Sequence, residues 1–444
     1  MSNTKITVVI PSLNVAPYIR QCMDSVLDQT LDNIEVFVVD ANSTDGTHEI
    51  LAEYAAKDSR VMLFDDIKKS TGYAKNVGIE QGHGKYYAVV EADDYIEPTM
   101  FEDMVKIAEE TGAEIVKGNY NNFICENNVQ RNFYGTISPF PEDYNKITNP
   151  KKDNHSFIWG MFEWLGIYRM DFLREHKIRH NETKGAAYQD TGFWFLTFAY
   201  ANKIYLTDKA YYNYRRDNPF SSMKNTGNVF GICNEYEYIA GCLDEDKETT
   251  ERTKPAWYRG FFYDNCIACN RLNDEGRVQL AGRMHEVMLQ GKSERMLHRT
   301  LYSDEEWENL ERLLTSPDEF LNKRFIGEQE IKRNREKLIC EIAGNSELII
   351  FGAGWYGLNL QYVLEHLGVT ITALADNDEA KWGKVLNNTR ILSLDECMKL
   401  YPNALYFVAN KYHSDEIVTG LLDAGVEEKK IKTWRLEQLT DTVV

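Results

Sequence analysis

The sequence predicts an α/β protein with a parallel sheet near its N-terminus, a helical middle region and a second α/β unit at its C-terminus. Apolar, strand-like runs alternate with helix-period segments over roughly the first 120 residues, which is the pattern of βαβ units. Helical periodicity dominates from about Asn225 to Asn345. A strand, a glycine-rich turn and a helix then follow from Glu347, which predicts the second α/β unit.

The N-terminal elements are defined by apolar spacing and by the prolines and glycines at their ends. A helix after Pro17 carries one apolar stripe at spacings of three and four residues. Gly72 opens a second helix, and Pro98 begins a third that runs through Glu110. HEILAEYAA predicts a further helix, and the predicted strands are KITVVI, IEVFVV, VMLF, YYAVV and AEIVKGNY.

Two acidic turns follow strands of this predicted sheet. IEVFVV leads directly into Asp40, and YYAVV leads into Glu91, Asp93 and Asp94. The ligand crevice of an open parallel sheet lies outside the carboxyl ends of its strands, so both turns should open onto one crevice. Carboxylates there suit a hard divalent cation, which takes oxygen ligands and shares them with substrate phosphates. The sequence therefore predicts a nucleotide-dependent transferase.

The remaining chain supplies the predicted domain limits. Residues 121–224 are rich in aromatic side chains and are interpreted as the rest of the first domain, covering the crevice. The helical stretch carries no recognisable chemistry, so we expect a packing scaffold or an assembly surface. The predicted domains are thus residues 1–224, 225–345 and 346–444.

The C-terminal unit contains a G-x-G-x-x-G pattern. Its glycines are Gly352, Gly354 and Gly357, between a predicted strand and a predicted helix, and Asp376 follows about 20 residues later. This context predicts an accessory nucleotide site, because glycines let a diphosphate approach a helix N-terminus. The alternative is a tight strand–helix turn that binds nothing. An independent dehydrogenase is disfavoured, because no substrate domain follows and no Tyr-x-x-x-Lys pair is present.

Composition narrows the class of function. The formal net charge of the 444 residues is -19, which argues against nucleic-acid binding, since that needs a basic footprint. No apolar run reaches the ~20 residues that a membrane-spanning helix requires. Eight cysteines lack the spacing of a disulfide framework, which fits a reducing compartment. We expect a cytoplasmic location, with contact at the inner face of the membrane left open.

Residues 6–223 resemble the family 2 glycosyltransferases of the GT-A fold. The matching pieces are VVIPSLN, VVDANSTDGT, GYAKNVGI, VEADD and YQDTGF, in the order and at the spacing of the family. The resemblance implies inverting transfer of a sugar from a nucleotide-diphosphate donor, with a UDP-sugar favoured. The acceptor would be a hydroxyl of a glycan or a lipid-linked saccharide, in the assembly of surface polysaccharide or glycoconjugate.

The resemblance also assigns roles to residues. Asp40 would bind the nucleotide base, Asp93 and Asp94 would bind Mn²⁺ or Mg²⁺, and Asp190 would take the proton of the acceptor hydroxyl. A carboxylate within ~3 Å of that proton assists as attack develops. The residues expected to contact the donor are Pro11, Asn14, Asp40, Asn42, Ser43, Lys75, Asn76, Glu91, Asp93, Arg215 and Arg216.

This sequence departs from the family pattern at several of these positions. Ala41 and Glu91 stand where the family commonly has aspartates, and Gln189 stands where it has a glutamate. Lys75 replaces the usual arginine, so it can meet a phosphate as a point charge but without a bidentate fork. These departures leave the donor open, and homo-oligomer formation is also left open. A catalytically silent nucleotide-sugar-binding or assembly protein is the alternative function.

The C-terminal unit has a resemblance of its own. FGAGWYG, LADNDEAKWGK and RILSLDE are similar to short Rossmann-like modules attached to bacterial sugar-modifying enzymes. Some of those modules bind nucleotide-sugars, so the resemblance implies a nucleotide-sugar as the ligand of Gly352, Gly354, Gly357 and Asp376.

Overall fold

The computed structural model of the chain describes residues 4–126, 129–186, 188–221, 228–324, 328–345, 347–409 and 414–440. They divide into two compact units. The first comprises the chain up to Tyr120 and then Thr136–Arg324. The second comprises Asn121–Gly135, which we call the inserted segment, and the chain from residue 325 onward. The three predicted domain limits remain a prediction.

Strands and helices alternate up to β6, as the sequence predicts, except that the short strand β5 follows β4 directly. The strands before the helical region are β1 (Ile6–Ser12), β2 (Ile34–Asp40), β3 (Val61–Asp65), β4 (Tyr86–Val89), β5 (Tyr95–Ile96), β6 (Ile115–Glu126), β7 (Val129–Gly135), β8 (Ile147–Thr148), β9 (Gly166–Arg169) and β10 (Ile204–Arg215). The helices between them are α1 (Ile19–Leu27), α2 (Thr47–Lys57), α3 (Thr71–Gln81), α4 (Met100–Thr111), α5 (Met170–Glu175) and α6 (Gln189–Tyr200).

The sheet of the first unit mixes parallel and antiparallel strands. Its order is β3-β2-β1-β4-β9-β6-β10-β5. β1 runs parallel to β2 and β4, and β2 runs parallel to β3, which confirms the predicted βαβ core. β9 is antiparallel to both β4 and β6. The start of β9 therefore lies beside the carboxyl end of β4, at the edge where the acidic turns emerge.

The helical region follows β10, as predicted. It contains α7 (Gly231–Leu243), α8 (Lys247–Cys269), α9 (Asp274–Ser293), α10 (Asp304–Thr315), α11 (Pro317–Arg324) and α12 (Glu328–Ile342). Helices α7 to α11 belong to the first unit, and α12 belongs to the second. Among the described helices, each is too short or too polar to span a lipid bilayer.

The second unit is a smaller α/β fold. Its strands are β11 (Leu348–Phe351), β12 (Ala373–Ala375), β13 (Val385–Leu386), β14 (Thr389–Leu392), β15 (Leu405–Val408) and β16 (Ile431–Lys432), and its helices after α12 are α13 (Trp355–His366), α14 (Leu394–Leu400) and α15 (Ser414–Asp423). The sheet order is β13-β14-β12-β11-β15-β16, with parallel pairing except between β13 and β14. Alternate residues of β11 enter two different apolar clusters, one on each face.

The inserted segment supplies part of the core of the second unit. Ile124 and Phe133 are buried in the same apolar cluster as Leu348 and Ile350 of β11. The side chain of Asn387 holds the backbone of the inserted segment at Asn132. Asn387 Oδ1 accepts from the Asn132 amide at 2.9 Å, and Asn387 Nδ2 donates to the Asn132 carbonyl at 3.0 Å. The second unit is thus built from two stretches of chain that are far apart in the sequence.

Candidate active site

Lys75 lies in a cluster of carboxylates at the carboxyl edge of the first sheet. It is a buried residue of α3, and its ammonium is 3.0 Å from Oε1 of Glu91 and 3.5 Å from Oε1 of Glu163. Burial acts to lower the pKa of Lys75, but the carboxylates of Glu163, Glu91 and Asp190 raise it above its ordinary value. Lys75 is therefore a permanent cation at the position where the resemblance implies a donor contact.

Asp190 lies in the first turn of α6 and is partly accessible. Burial raises its pKa above the ordinary value, Lys75 acts in the opposite direction, and Glu163 adds to the rise. A raised pKa makes a carboxylate a stronger base, and general bases work best with a pKa close to the operating pH. The environment of Asp190 therefore suits the predicted role.

Glu163 and His180 complete the cluster, although neither residue belongs to a motif recognised in the sequence. Nε2 of His180 lies 3.0 and 2.9 Å from the two carboxylate oxygens of Glu163, and both side chains are fully buried. Burial acts to raise the pKa of Glu163, but His180 and Lys75 lower it to about 2. One signal was available: Glu163 is a lone acid within the apolar run MFEWLGIY, and such an acid needs a buried partner.

A second buried lysine lies near the same carboxylates. Lys117 of β6 donates to the carbonyl of Phe162 and lies 3.3 Å from the hydroxyl of Tyr168. Burial lowers the pKa of Lys117 to about 7, and the charges of Glu163 and Asp190 act in the opposite direction. The cluster therefore contains a group whose charge can change near neutral pH.

Asn76, a predicted donor contact, is turned toward the segment around His180. Its Nδ2 donates to the carbonyl of His180 and to Oε1 of Glu182, both at 3.0 Å. Its Oδ1 accepts from the backbone amide of His180 at 2.9 Å. Both ends of this amide are thus used within the protein, so Asn76 holds His180 in place and its donor contact remains a prediction.

The acidic turn after β4 is fastened to the end of β10. Asp94 is 1% exposed, and its two carboxylate oxygens accept from the hydroxyl of Tyr212 at 2.9 Å and from the amide of Arg215 at 2.7 Å. Burial and the neighbouring Asp93 raise the pKa of Asp94 well above its ordinary value. Asp93 stays partly accessible, and its Oδ2 accepts from Asn218 at 2.8 Å. The two adjacent carboxylates therefore have different surroundings.

Asp93 is the partly accessible carboxylate of this turn that could offer an oxygen ligand to a divalent cation. Mg²⁺ is commonly held by one or two carboxylates together with substrate phosphates, and Mn²⁺ accepts similar oxygen ligands. Within the described ranges, no three His, Cys, Asp or Glu side chains are grouped to hold a metal ion. Because both oxygens of Asp94 are hydrogen-bonded in the interior, we assign Asp94 to the fold. The metal contact remains a prediction for Asp93.

The two predicted arginines differ in their contacts. The side chain of Arg215 is buried, donates to the carbonyl of Asp93 at 2.9 Å and to Gln21 at 2.7 Å, and pairs with Asp217 at 3.3 Å. Arg216 is partly accessible, and its guanidinium lies 5.4 Å from the ring centre of Tyr214. Arg215 thus stabilises the acidic turn by hydrogen bonds. Arg216 is more accessible to a phosphate than Arg215 is.

The turn after β2 holds Asp40 in a network of hydroxyls. The Asp40 carboxylate accepts from Ser43 Oγ at 2.6 Å and from Ser12 Oγ at 3.2 Å, and it lies 3.1 Å from Nδ1 of His48. Asn14 closes the turn by accepting from the amide of Thr44 at 2.8 Å. Asp40 is therefore fixed in orientation before any ligand arrives.

The other residues predicted for this part of the site line the same turn. Pro11 is buried in β1 opposite Val39, whereas Asn42 is exposed in the left-handed region with φ of 62°. Asn42 and the neighbouring exposed backbone are accessible to a base or ribose. Pro11 can act only by shaping the strand end.

The glycine-rich turn of the second unit, between β11 and α13, is hydrogen-bonded to Asp376. Gly352 has φ of +113°, and a Cβ on Gly357 would lie 1.7 Å from the carbonyl oxygen of Gly352, so both positions need glycine. Asp376 accepts from the amide of Ala353 at 2.8 Å and from Lys381 at 3.0 Å. A Cβ on Gly354 would meet nothing within 4 Å. The accessory nucleotide site remains a prediction, and Gly354 is the position that leaves room for a ligand.

Comparisons with family models agree with this architecture. The model described as glycosyl transferase family 2 matches residues 7–165. A second model, described as C2185-like, N-terminal, matches residues 344–432.

Several bacterial glycosyltransferases are similar to this chain. Glycosyltransferase GlyG of Streptococcus pneumoniae is 30% identical over 220 residues, which is 48% of this chain and 70% of GlyG. The uncharacterized glycosyltransferase YibD of Escherichia coli is 26% identical over 67% of this chain and 88% of its own. For the uncharacterized glycosyltransferase EpsJ of Bacillus subtilis, the identity is 29%, and the match covers 49% of this chain and 62% of EpsJ.

Solved structures share the fold. Residues 1–349 of S. aureus TarS match with a TM-score of 0.54 at 20% identity, covering 71% of this chain and 89% of that chain. The same part of TarS in complex with UDP-GlcNAc matches with a TM-score of 0.56 and the same coverage. This likeness confirms the predicted GT-A fold of the N-terminal part.

Proposed function

Because the chain belongs to glycosyl transferase family 2, we propose that it moves a sugar from a nucleotide-diphosphate donor to a hydroxyl of a glycan or lipid-linked acceptor. The observation that carries the proposal is Asp190, a partly accessible carboxylate with a raised pKa beside the fixed cation Lys75. A UDP-sugar is the favoured donor, since TarS, which shares the fold, has been solved with UDP-GlcNAc. The process would be the assembly of surface polysaccharide or glycoconjugate.

The proposed reaction is a single displacement with inversion at the anomeric carbon. Asp190 takes the proton of the acceptor hydroxyl while that oxygen forms a bond to the anomeric carbon. The bond from the anomeric carbon to the diphosphate breaks, and its electron pair leaves with the diphosphate oxygen. Lys75 supplies positive charge close to these reacting groups, where a buried cation acts more strongly than it would in water.

A divalent cation is part of the proposal. Asp93 would hold it, and the bound cation would neutralise charge that develops on the leaving diphosphate. Asp40 and the exposed backbone around Asn42 would contact the base and ribose. Arg216 directly follows β10, is partly accessible, and would contact a phosphate of the donor.

The alternative is a catalytically silent binding protein on the same fold. Asp190 disfavours it, because a silent binding protein has no need of a partly accessible carboxylate with a raised pKa. We suggest incubating the protein with UDP-sugars, Mn²⁺ and candidate acceptors, and following released UDP together with the anomeric configuration of the product by NMR.

Transfer with inversion, dependent on Asp190, would support the proposal. Retention of configuration would contradict the displacement mechanism. If both the wild type and the Asp190→Asn variant bind the donor but neither transfers nor hydrolyses it, the silent binding protein is favoured.

A further inference from the structure

Glu163 is a buried carboxylate that the proposed reaction does not use. It lies in a short 3-10 helix, Glu163–Leu165, directly before β9, and it is 0% exposed. Because β9 is antiparallel to β4, the start of β9 lies at the carboxyl edge of the sheet, where Glu91 follows the end of β4. Removing a carboxylate from water is unfavourable unless partners compensate, so a role for this charge is expected.

The partners of Glu163 hold it in one orientation. His180 donates toward both of its oxygens, and Lys75 approaches Oε1. The His180 ring is itself fixed, because it stacks on Phe193 with centroids 4.2 Å apart and planes inclined by 4°. The side chain of Asn76 also hydrogen-bonds to both the amide and the carbonyl of His180. The carboxylate of Glu163 is therefore a negative charge held in one orientation next to the Lys75 ammonium.

The ion pairs of Lys75 are unequal. Among the described residues, its ammonium pairs with Glu91 and Glu163 and forms no ion pair with Asp190. Asp190 nevertheless lies close enough for its charge to act on Lys75. A Lys75–Asp190 pair would hold the aspartate ionised but would lower its basicity and occupy its oxygens.

We propose that Glu163 is a positioning residue that, together with Glu91, holds the Lys75 ammonium and so keeps it from pairing with Asp190. The Asp190 carboxylate is then left to take the proton of the acceptor hydroxyl. This inference rests on the proposed function for the role of Asp190, although the placement of Lys75 can be tested without it. The other charged or titratable groups coupled to Asp190 come from separate elements: His180, Lys117 of β6, Tyr168 of β9, Glu235 of α7 and Asp264 of α8.

The main test compares three variants. Glu163→Gln keeps the shape but removes the anion, and Glu163→Asp keeps the anion. Glu114→Gln is the matched control, since Glu114 is also a buried acid of the first unit, but its carboxylate bonds to Asn202 and Lys203, just before β10, and pairs with Arg169. We expect Glu163→Gln to lower kcat by about 10- to 100-fold, part of the ordinary contribution of a general base, with the donor KM changed less than about threefold.

Glu163→Asp should recover at least part of this loss, and Glu114→Gln should change the melting temperature but not kcat. In an Asp190→Asn background, adding Glu163→Gln should change kcat by less than about twofold, because residues that act through one another are not additive. The inference would be overturned if the kcat losses of the two single variants multiply in the double variant. It would also be overturned if Glu163→Gln changes KM and leaves kcat unchanged.

A structural measurement separates this inference from the proposed function. In a crystal structure of the Glu163→Gln protein, the Lys75 ammonium should lie within hydrogen-bond distance of Asp190. If the wild type transfers no sugar but Lys75 moves as described, the proposed function fails and the placement of Lys75 by Glu163 stands. If Lys75 stays on Glu91 in the variant, the inference fails whatever the activity.

Discussion

The hydroxyl of Tyr212 donates to the buried carboxylate of Asp94 at 2.9 Å and also accepts from the backbone amide of Glu91 at 2.9 Å. One phenol thus ties both ends of the acidic turn to β10. The turn that would meet the donor diphosphate is therefore shaped by a side chain of β10, which lies three strands away from β4 in the sheet.

We expect Tyr212→Phe to destabilise the first unit and to loosen this turn. The change leaves one oxygen of a buried carboxylate without its donor, which costs about 1–3 kcal/mol. Asp94→Ala should lower the melting temperature at least as much. Both would be measured by thermal unfolding. An Asp94→Ala protein that melts like the wild type would contradict our assignment of Asp94 to the fold.

Asp190→Asn should abolish the base and leave the donor site intact. Turnover should fall by roughly 10²- to 10⁴-fold, the usual contribution of a positioned base. Because burial raises the pKa of Asp190, the wild-type kcat should fall on the acid side at a pH above that of an ordinary aspartate. Calorimetry with UDP should give a nearly unchanged affinity. Near-wild-type turnover in the variant would exclude Asp190 as the base.

Asp93→Asn should weaken Mn²⁺-dependent binding of a nucleotide diphosphate. The amide keeps the hydrogen-bonding shape but loses the charge that a hard cation prefers. Titration with UDP in the presence of Mn²⁺, repeated with a chelator, measures the effect. Uridine offers no phosphate to a cation, so its affinity is the internal control. Equal UDP affinity for wild type and variant in both conditions would rule out a metal contact at Asp93.

Two glycines of the second unit should respond differently to alanine. Gly357→Ala should destabilise the unit, since the new Cβ would lie 1.7 Å from a backbone oxygen. Gly354→Ala should leave the fold intact, and a bulkier Gly354→Val should block any diphosphate at the turn. Thermal shifts with nucleotide-sugars measure both. If no nucleotide shifts the melting of the wild-type protein, the glycines serve only the turn.

Glu235→Gln should make the stability of the protein less dependent on pH. Burial raises the pKa of Glu235 to about 8, with Asn181 opposing the shift through a hydrogen bond. A raised pKa means that the folded state binds the proton more tightly, so the wild type loses stability as pH rises from about 4.5 toward 8. Each pKa unit corresponds to about 1.4 kcal/mol, so the loss is on the order of a few kcal/mol. Urea unfolding at pH 5 and pH 8 compares the two proteins.

The sequence was sufficient for features set by local pattern. The βαβ order and the acid clusters at the strand ends follow from apolar periodicity, whereas Asp190 is a candidate base only through the family resemblance. The apolar run around Glu163 indicates a buried acid, but its partners could not be predicted from the sequence, because they depend on β9 running antiparallel beside β4, a pairing across about 80 residues of chain. Likewise, Asp93 and Asp94 look equivalent in sequence. Only the approach of Tyr212 and Arg215 decides which carboxylate faces the interior.

The inserted segment has a consequence for biosynthesis. Ile124 and Phe133 leave the ribosome long before β11, the strand whose core they share, because roughly 215 residues separate Phe133 from Leu348. At about 5–20 residues per second, these two apolar side chains wait on the order of 10–40 s for their partners. Ribosome-bound chains that stop before β11 should therefore be better chaperone substrates than the completed protein. For the same reason, any transplant of the C-terminal unit into another enzyme has to carry this stretch with it.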